Sequence, residues 1–248
     1  MNKKHVLIAG DSWGLGELLP SHISQTGSSR IVHGGLAQYL TEHGHQVWNI
    51  SNGGLANLAI TERVSNWMGK FHERNINLII VFATEYTRDM AYDLPIDYSQ
   101  LKLANDLAGI YLSKSYYRLK DISDQYKVPI YLVGGVADTM WLDNWNDTYS
   151  GVEIICQSMT QLVLNNSHLI KHPVYSWYGV NAEKTVKLLK QHLPQNEVES
   201  LIALIEQGFQ RQSLVYENPE FFWPDGVHPN RKAHKKLFDF LQQKKLFD

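Results

Sequence analysis

The sequence predicts one doubly wound α/β domain. Two observations lead there. Short, near-continuously apolar runs recur along the chain, and between them lie amphipathic stretches of helical spacing with short joints. Runs without alternation suit strands of a parallel sheet covered on both faces. Strand–helix alternation with short joints is the pattern that builds such a sheet.

Taken in order, Val6–Ala9 reads as the first strand, broken at Gly10 so that Asp11 and Ser12 fall on a turn. Ile31–His43 reads as a helix that ends at His43-Gly44-His45, with Gly44 as its cap. Gln46–Ile50 is the second strand and Leu58–Glu73 the next helix. Leu78–Ala83 is the third strand. A long helix over Gln100–Tyr126 carries Leu101, Ala104, Ala108, Tyr111 and Leu112 at helical spacing, and Pro129 marks its far side. Pro129–Val133 is the fourth strand.

From about Val136 to Pro219 the rhythm changes. Asp138–Gly151 is rich in Trp, Asn and Asp and reads as a long loop or lid. Ala182–His192 and Glu197–Gln210 read as two polar-faced helices joined at Leu193–Pro194. The last helix covers Arg231–Gln243, its apolar face being Ala233, Leu237, Phe240 and Leu241. No repeat or linker divides the chain, so residues 1–248 are expected to form one domain, with about 136–219 as a lid and helical elaboration.

At 248 residues such a domain can bury roughly 70% of its unfolded surface. Its 44% hydrophobic and 19% charged composition is that of an ordinary globular protein. The net charge of −2 implies no general attraction to nucleic acid or to anionic membranes. Cys156 is the single cysteine, so no internal disulfide forms, which fits a reducing compartment. The apolar run Val6–Ala9 is too short for a signal-peptide core, and no run approaches the roughly 18 residues of a spanning helix. A cytoplasmic location is therefore expected.

The two ends of the chain carry chemistry. Ser12 follows the first strand directly, where ligands bind in open α/β sheets. If a helix begins there, its N-terminus would favour a developing anion; the plainer alternative is that Ser12 is an N-cap. Asp225 and His228 stand three apart in a Gly- and Pro-bounded loop leading into the last helix. A serine hydroxyl needs a base within hydrogen-bond reach, imidazole titrates in the right range, and an acid fixes its tautomer.

Gly10-Asp11-Ser12 and Asp225-x-x-His228-Pro229 together resemble the first and last motif blocks of the SGNH or GDSL family of serine esterases and lipases. The resemblance implies a flavodoxin-like three-layer α/β/α sandwich with a mostly parallel sheet and a helical insertion before the last block. It implies Ser12 as nucleophile, His228 as base and Asp225 as its orienting acid. It further implies that the Ser12 backbone N–H, and that of Gly54 in Asn49-Ile50-Ser51-Asn52-Gly53-Gly54, form an oxyanion hole. The third block departs from the family pattern. After Leu78–Phe82 comes Ala83-Thr84-Glu85-Tyr86, with Glu85 where the family has an oxyanion-hole asparagine.

An amide donor at that position is commonly worth about 3 kcal/mol of barrier, and an ionised carboxylate would repel the same charge. Glu85 is either turned away, or protonated by desolvation so that it donates, or the mark of a repurposed site. Arg88, one helical turn on, would neutralise Glu85, bind an anionic substrate, or form an ordinary surface ion pair.

Two other motifs compete. Gly10-x-x-x-Gly14-x-Gly16 has the glycine spacing of short-chain dehydrogenases, and Tyr116-x-x-x-Lys120 that of their catalytic pair. Against them, no acid ends the second strand to hold a ribose hydroxyl, and Asp11 and Glu17 would place carboxylates beside a pyrophosphate. His168 and His172 are four apart, but Pro173 argues against a long helix there, so no metal site is expected. Aromatic residues crowd Trp141–Tyr178, and Phe221, Phe222 and Trp223 precede Asp225. They either pack the lid or, Trp223 above all, face an acyl or sugar substrate.

The expected function is hydrolysis of an ester or acetyl group on a small-molecule, lipid or carbohydrate substrate, without cofactor. The alternative is a weak or inactive ligand- or carbohydrate-binding relative on the same fold.

Overall fold

The computed structural model describes residues 3–19, 30–84, 98–135, 149–164, 190–191, 194–196, 199, 218–222 and 228–248. In chain order the strands are β1 (His5–Ala9), β2 (Glu17–Leu19), β3 (Arg30–His33), β4 (Gln46–Asn49), β5 (Leu78–Ala83), β6 (Ile130–Gly134) and β7 (Val152–Cys156). The principal helices are α1 (Ser12–Leu15), α2 (Gly35–Glu42), α3 (Asn57–Phe71), α4 (Tyr98–Tyr126), α5 (Met159–Leu164) and α6 (Arg231–Gln243).

Five strands form a parallel sheet in the order β4-β1-β5-β6-β7. The pleat explains why its central runs are apolar throughout. Val6 and Ile8 of β1, with Leu78, Ile80 and Phe82 of β5, meet α2, α5 and α6 on one face. Leu7 and Ala9, with Ile79 and Val81, meet α3 and α4 on the other. Each residue along these strands therefore has a core to enter. This is the flavodoxin-like three-layer α/β/α sandwich expected from the sequence.

Helix faces follow the same logic. Leu112, Tyr116, Leu119 and Ile122 are buried along α4 at helical spacing. On α6 the buried stripe is Ala233, His234, Leu237, Phe238 and Leu241. The expected face included Phe240, which is only partly buried, and passed over Phe238 and His234, both fully buried.

Three elements differ from expectation. Ile31–His43 is not one helix: β3 occupies Arg30–His33, and α2 starts only at Gly35. The β-branched pair Ile31-Val32 suits an extended segment, and Gly34-Gly35 interrupts it. β3 pairs antiparallel with β2, a strand of three residues too short to show a period. Finally, the 136–219 stretch supplies β7, whose parallel pairing with β6 makes it an edge of the main sheet. The Gly44 cap is as expected, with φ 87° and its N–H donating to the Thr41 carbonyl. Among the described residues, no helix is long and apolar enough to cross a membrane.

Candidate active site

In this strand order the sheet changes direction of winding between β1 and β5, and the crevice beyond their carboxyl ends is where such sheets bind ligands. Ser12 lies there, just past the end of β1, as the first residue of the single-turn helix α1, and is 8% exposed. The cap of that turn is Asp11, whose Oδ1 accepts the Trp13 N–H at 2.9 Å. Ser12 is thus not the N-cap, and a helix of four residues adds little dipole.

The glycines around Ser12 are explained by close packing. A Cβ on Gly10 would stand 2.6 Å from the Phe82 Cβ, and one on Gly14 would stand 2.4 Å from the Ser51 Oγ. Gly16 has φ 115°, and its Cβ would meet the His33 carbonyl oxygen at 2.4 Å. Gly10-x-x-x-Gly14-x-Gly16 is therefore filled by protein on the sides where these Cβ atoms would point. Tyr116 is likewise 1% exposed in the core, edge-on to Tyr149 at 5.8 Å, and Lys120 pairs with Asp124 at 2.5 Å. The paired features of a dehydrogenase reading thus have structural explanations.

The carboxyl end of β4 joins the same region. Asn49 Nδ2 donates to the Gly14 carbonyl at 2.8 Å, and its Oδ1 accepts the Ser51 N–H at 3.0 Å. Gly54 follows in an exposed turn at φ 75°, a conformation that glycine adopts without strain. Beyond β5, Thr84 is the last described residue of the third block. The Asn57 side chain accepts its N–H at 3.0 Å and donates to its carbonyl at 3.1 Å. Glu85 and Arg88 lie outside the described residues, as do Trp223 and Asp225.

His228 is described and half-buried. The two residues that follow it are tied down. Pro229 bridges Phe222, and the Asn230 N–H donates to the Phe221 carbonyl at 2.8 Å. Asn230 also caps α6: its Oδ1 accepts from the N–H groups of Lys232 at 2.9 Å and Ala233 at 3.3 Å, while Nδ2 donates to the Glu220 carbonyl at 2.7 Å. This clamp touches the Ser12 turn once and the start of β2 once. The Phe222 ring lies 6.1 Å from the Trp13 ring, and Arg231 Nε donates to Glu17 Oε2 at 2.6 Å. The residues flanking His228 and those flanking Ser12 are in contact.

Glu17, Arg231 and Asn57 received no role from the sequence. The sequence marks Glu17 only as a charge unsuited to a pyrophosphate, and the buried carboxylate is legible only once β2 is known. Beside the pair, His33 Nδ1 accepts the Gly35 N–H at 3.0 Å, which leaves the proton of the neutral ring on Nε2. Burial first, and Arg231 second, hold its pKa below the ordinary value. Among the described residues, no group of three or more His, Cys, Asp or Glu is placed to hold a metal ion.

Sheet order and the position of the crevice define a doubly wound α/β protein of flavodoxin-like order. The chain is similar to the psychrotrophic esterase EstA from Pseudoalteromonas sp., in a structure inhibited by monoethylphosphonate. The identity is 11% and the TM-score 0.45, over 99% of this chain and 100% of that one. It is also similar to TesA, with 11% identity and TM-score 0.41 over 97% of each chain. No known family profile and no curated protein matches it.

Proposed function

We propose that the protein is a serine ester hydrolase. The Ser12 hydroxyl attacks an ester carbonyl while His228 takes its proton; the base then returns that proton to the leaving alcohol, and water releases the acyl group by the same route. Asp225 orients the imidazole, and the backbone N–H groups of Ser12 and Gly54 receive the oxyanion. Glu85 is turned away from that hole or protonated. Trp223 and Arg88 face the substrate, an ester or acetylated compound of small-molecule, lipid or carbohydrate type.

The observation that supports this reading best is the double contact of Trp13 with Phe222 and Glu17 with Arg231, which joins the segment just after Ser12 to residues before and after His228. The capping by Asp11 adds to it, because the turn at Ser12 does not depend on the serine side chain for its N–H groups. Hydrolysis of a short-chain aryl ester, and labelling by a fluorophosphonate, test the proposal on wild type and Ser12→Ala. Turnover and labelling that both vanish in Ser12→Ala are the expected result. Equal turnover in the two proteins, or a folded wild type that takes no label, would overturn the serine mechanism.

A further inference from the structure

The Glu17–Arg231 contact joins the two halves of the candidate site through unusually short and stiff connections. Glu17 follows Ser12 after one helical turn and Gly16. It lies opposite His33 in the β2–β3 pairing, with a bulge between Glu17 and Leu18. The Gly16 approach to the His33 carbonyl leaves no room for a side chain at that bend. Arg231 follows His228 after only Pro229 and Asn230. The first has a fixed φ, and the second is held by its side-chain and backbone hydrogen bonds. The Arg231 carbonyl in turn accepts from the Tyr39 hydroxyl at 3.1 Å.

The carboxylate side chain is 8% exposed, whereas that of Arg231 is 54% exposed. A pair with one partner half in water is a weak source of stability. A buried carboxylate nevertheless demands a cation at a defined place. The arginine meets it through Nε at 2.6 Å, the guanidinium nitrogen nearest its own backbone, so the bond constrains the start of α6 more closely than a contact through the distal nitrogens would.

We propose that Glu17 and Arg231 are positioning residues whose ion pair sets the imidazole of His228 against the Ser12 hydroxyl. The inference rests on the serine mechanism proposed above. It assigns neither residue a contact with substrate. Displacing a reacting group by about 1 Å costs on the order of 100-fold in rate, so a pair outside the reacting atoms has leverage on turnover.

The test uses Glu17→Met, which removes the acceptor without leaving a buried charge, and Glu17→Gln, which keeps an acceptor oxygen. Aryl-ester kinetics and the rate of Ser12 labelling by a fluorophosphonate are read for both. Glu17→Met is expected to lower kcat and the labelling rate about 10- to 100-fold with KM within about twofold, and Glu17→Gln to recover part of the loss. In a His228→Ala background, Glu17→Met should cause no further loss, because there is no imidazole left to place. Wild-type rates in Glu17→Met, or an equal fold loss in the His228→Ala background, would overturn the positioning role. Arg231→Lys, which keeps a cation for Glu17 but lacks Nε, provides the same comparison if Glu17→Met does not fold. Failure of the underlying reading looks different: turnover by wild type would survive Ser12→Ala, and both proposals would fall together.

Discussion

Asn57 holds both backbone groups of Thr84, accepting its N–H and donating to its carbonyl. Both residues are buried, and the two hydrogen bonds tie the start of α3 to the end of β5, where the third motif block begins. Asn57→Ala would leave a buried amide N–H and carbonyl without these partners, with an expected loss of about 1–3 kcal/mol in denaturant unfolding. Asn57→Asp keeps the acceptor and sets a carboxylate against the Thr84 carbonyl, so it should not restore the wild-type midpoint.

Ser51 presents the opposite case. Its Oγ is buried and has no hydrogen-bond partner among the described residues. Ser51→Ala is therefore expected to leave stability within about 0.5 kcal/mol of wild type or to raise it. Gly14→Ala should destabilise, since its Cβ would stand 2.4 Å from that Oγ. The double variant should recover part of the loss, a coupling that a denaturant-melt cycle measures directly.

His234 makes stability depend on pH. Its ring is fully buried on α6, neither nitrogen has a hydrogen-bond partner among the described residues, and Phe82 lies edge-on at 6.4 Å. Desolvation above all, and His33 next, push its pKa from 6.5 to about 3, while the nearby Gly16 backbone slightly favours the proton. Between those values only the unfolded chain takes up the proton. Stability present above about pH 6.5 is thus lost as pH falls, by about 2 kcal/mol at pH 5. His234→Leu should flatten this slope in unfolding measurements. The residual slope should reflect His45 and His33, whose pKa values burial also lowers.

Asn230 caps α6 and clamps the segment before it. Asn230→Ala is expected to cost about 1–2 kcal/mol, and Asn230→Asp less, because the carboxylate keeps the cap bonds to Lys232 and Ala233 and loses only the donation to the Glu220 carbonyl. Thermal melts of the two variants check the order.

The legibility of the sequence followed the length and period of each element. β1, β5 and β6 stood out because both of their faces are buried, and α3, α4 and α6 because they are long enough to repeat. β2 and β3 were missed because short antiparallel segments beside glycines carry no period. β7 is not legible within the 136–219 stretch, since its five residues are broken by an exposed Glu153 and two half-buried isoleucines and show neither a continuous apolar run nor a clean alternation. In the candidate site, Ser12 and His228 are singled out by chemistry-bearing motifs. Glu17, Asn57 and Arg231 were not assigned roles, because their significance lies in partners far along the chain. His234 was passed over since a histidine in an apolar stripe breaks the hydrophobic pattern that marks the stripe.

Glu17 and Arg231 are 214 residues apart in the chain. The entropy of closing so long a loop must be offset by contacts already made, and links of the greatest sequence separation are slow to form. The last helix, with Leu237, Phe238 and Leu241 fully buried, therefore acts as the closing piece of the fold. During synthesis the first strand and its serine leave the ribosome long before the segment that carries His228. A chain still being made holds Ser12 without His228, and the two segments come together only when the final helix docks.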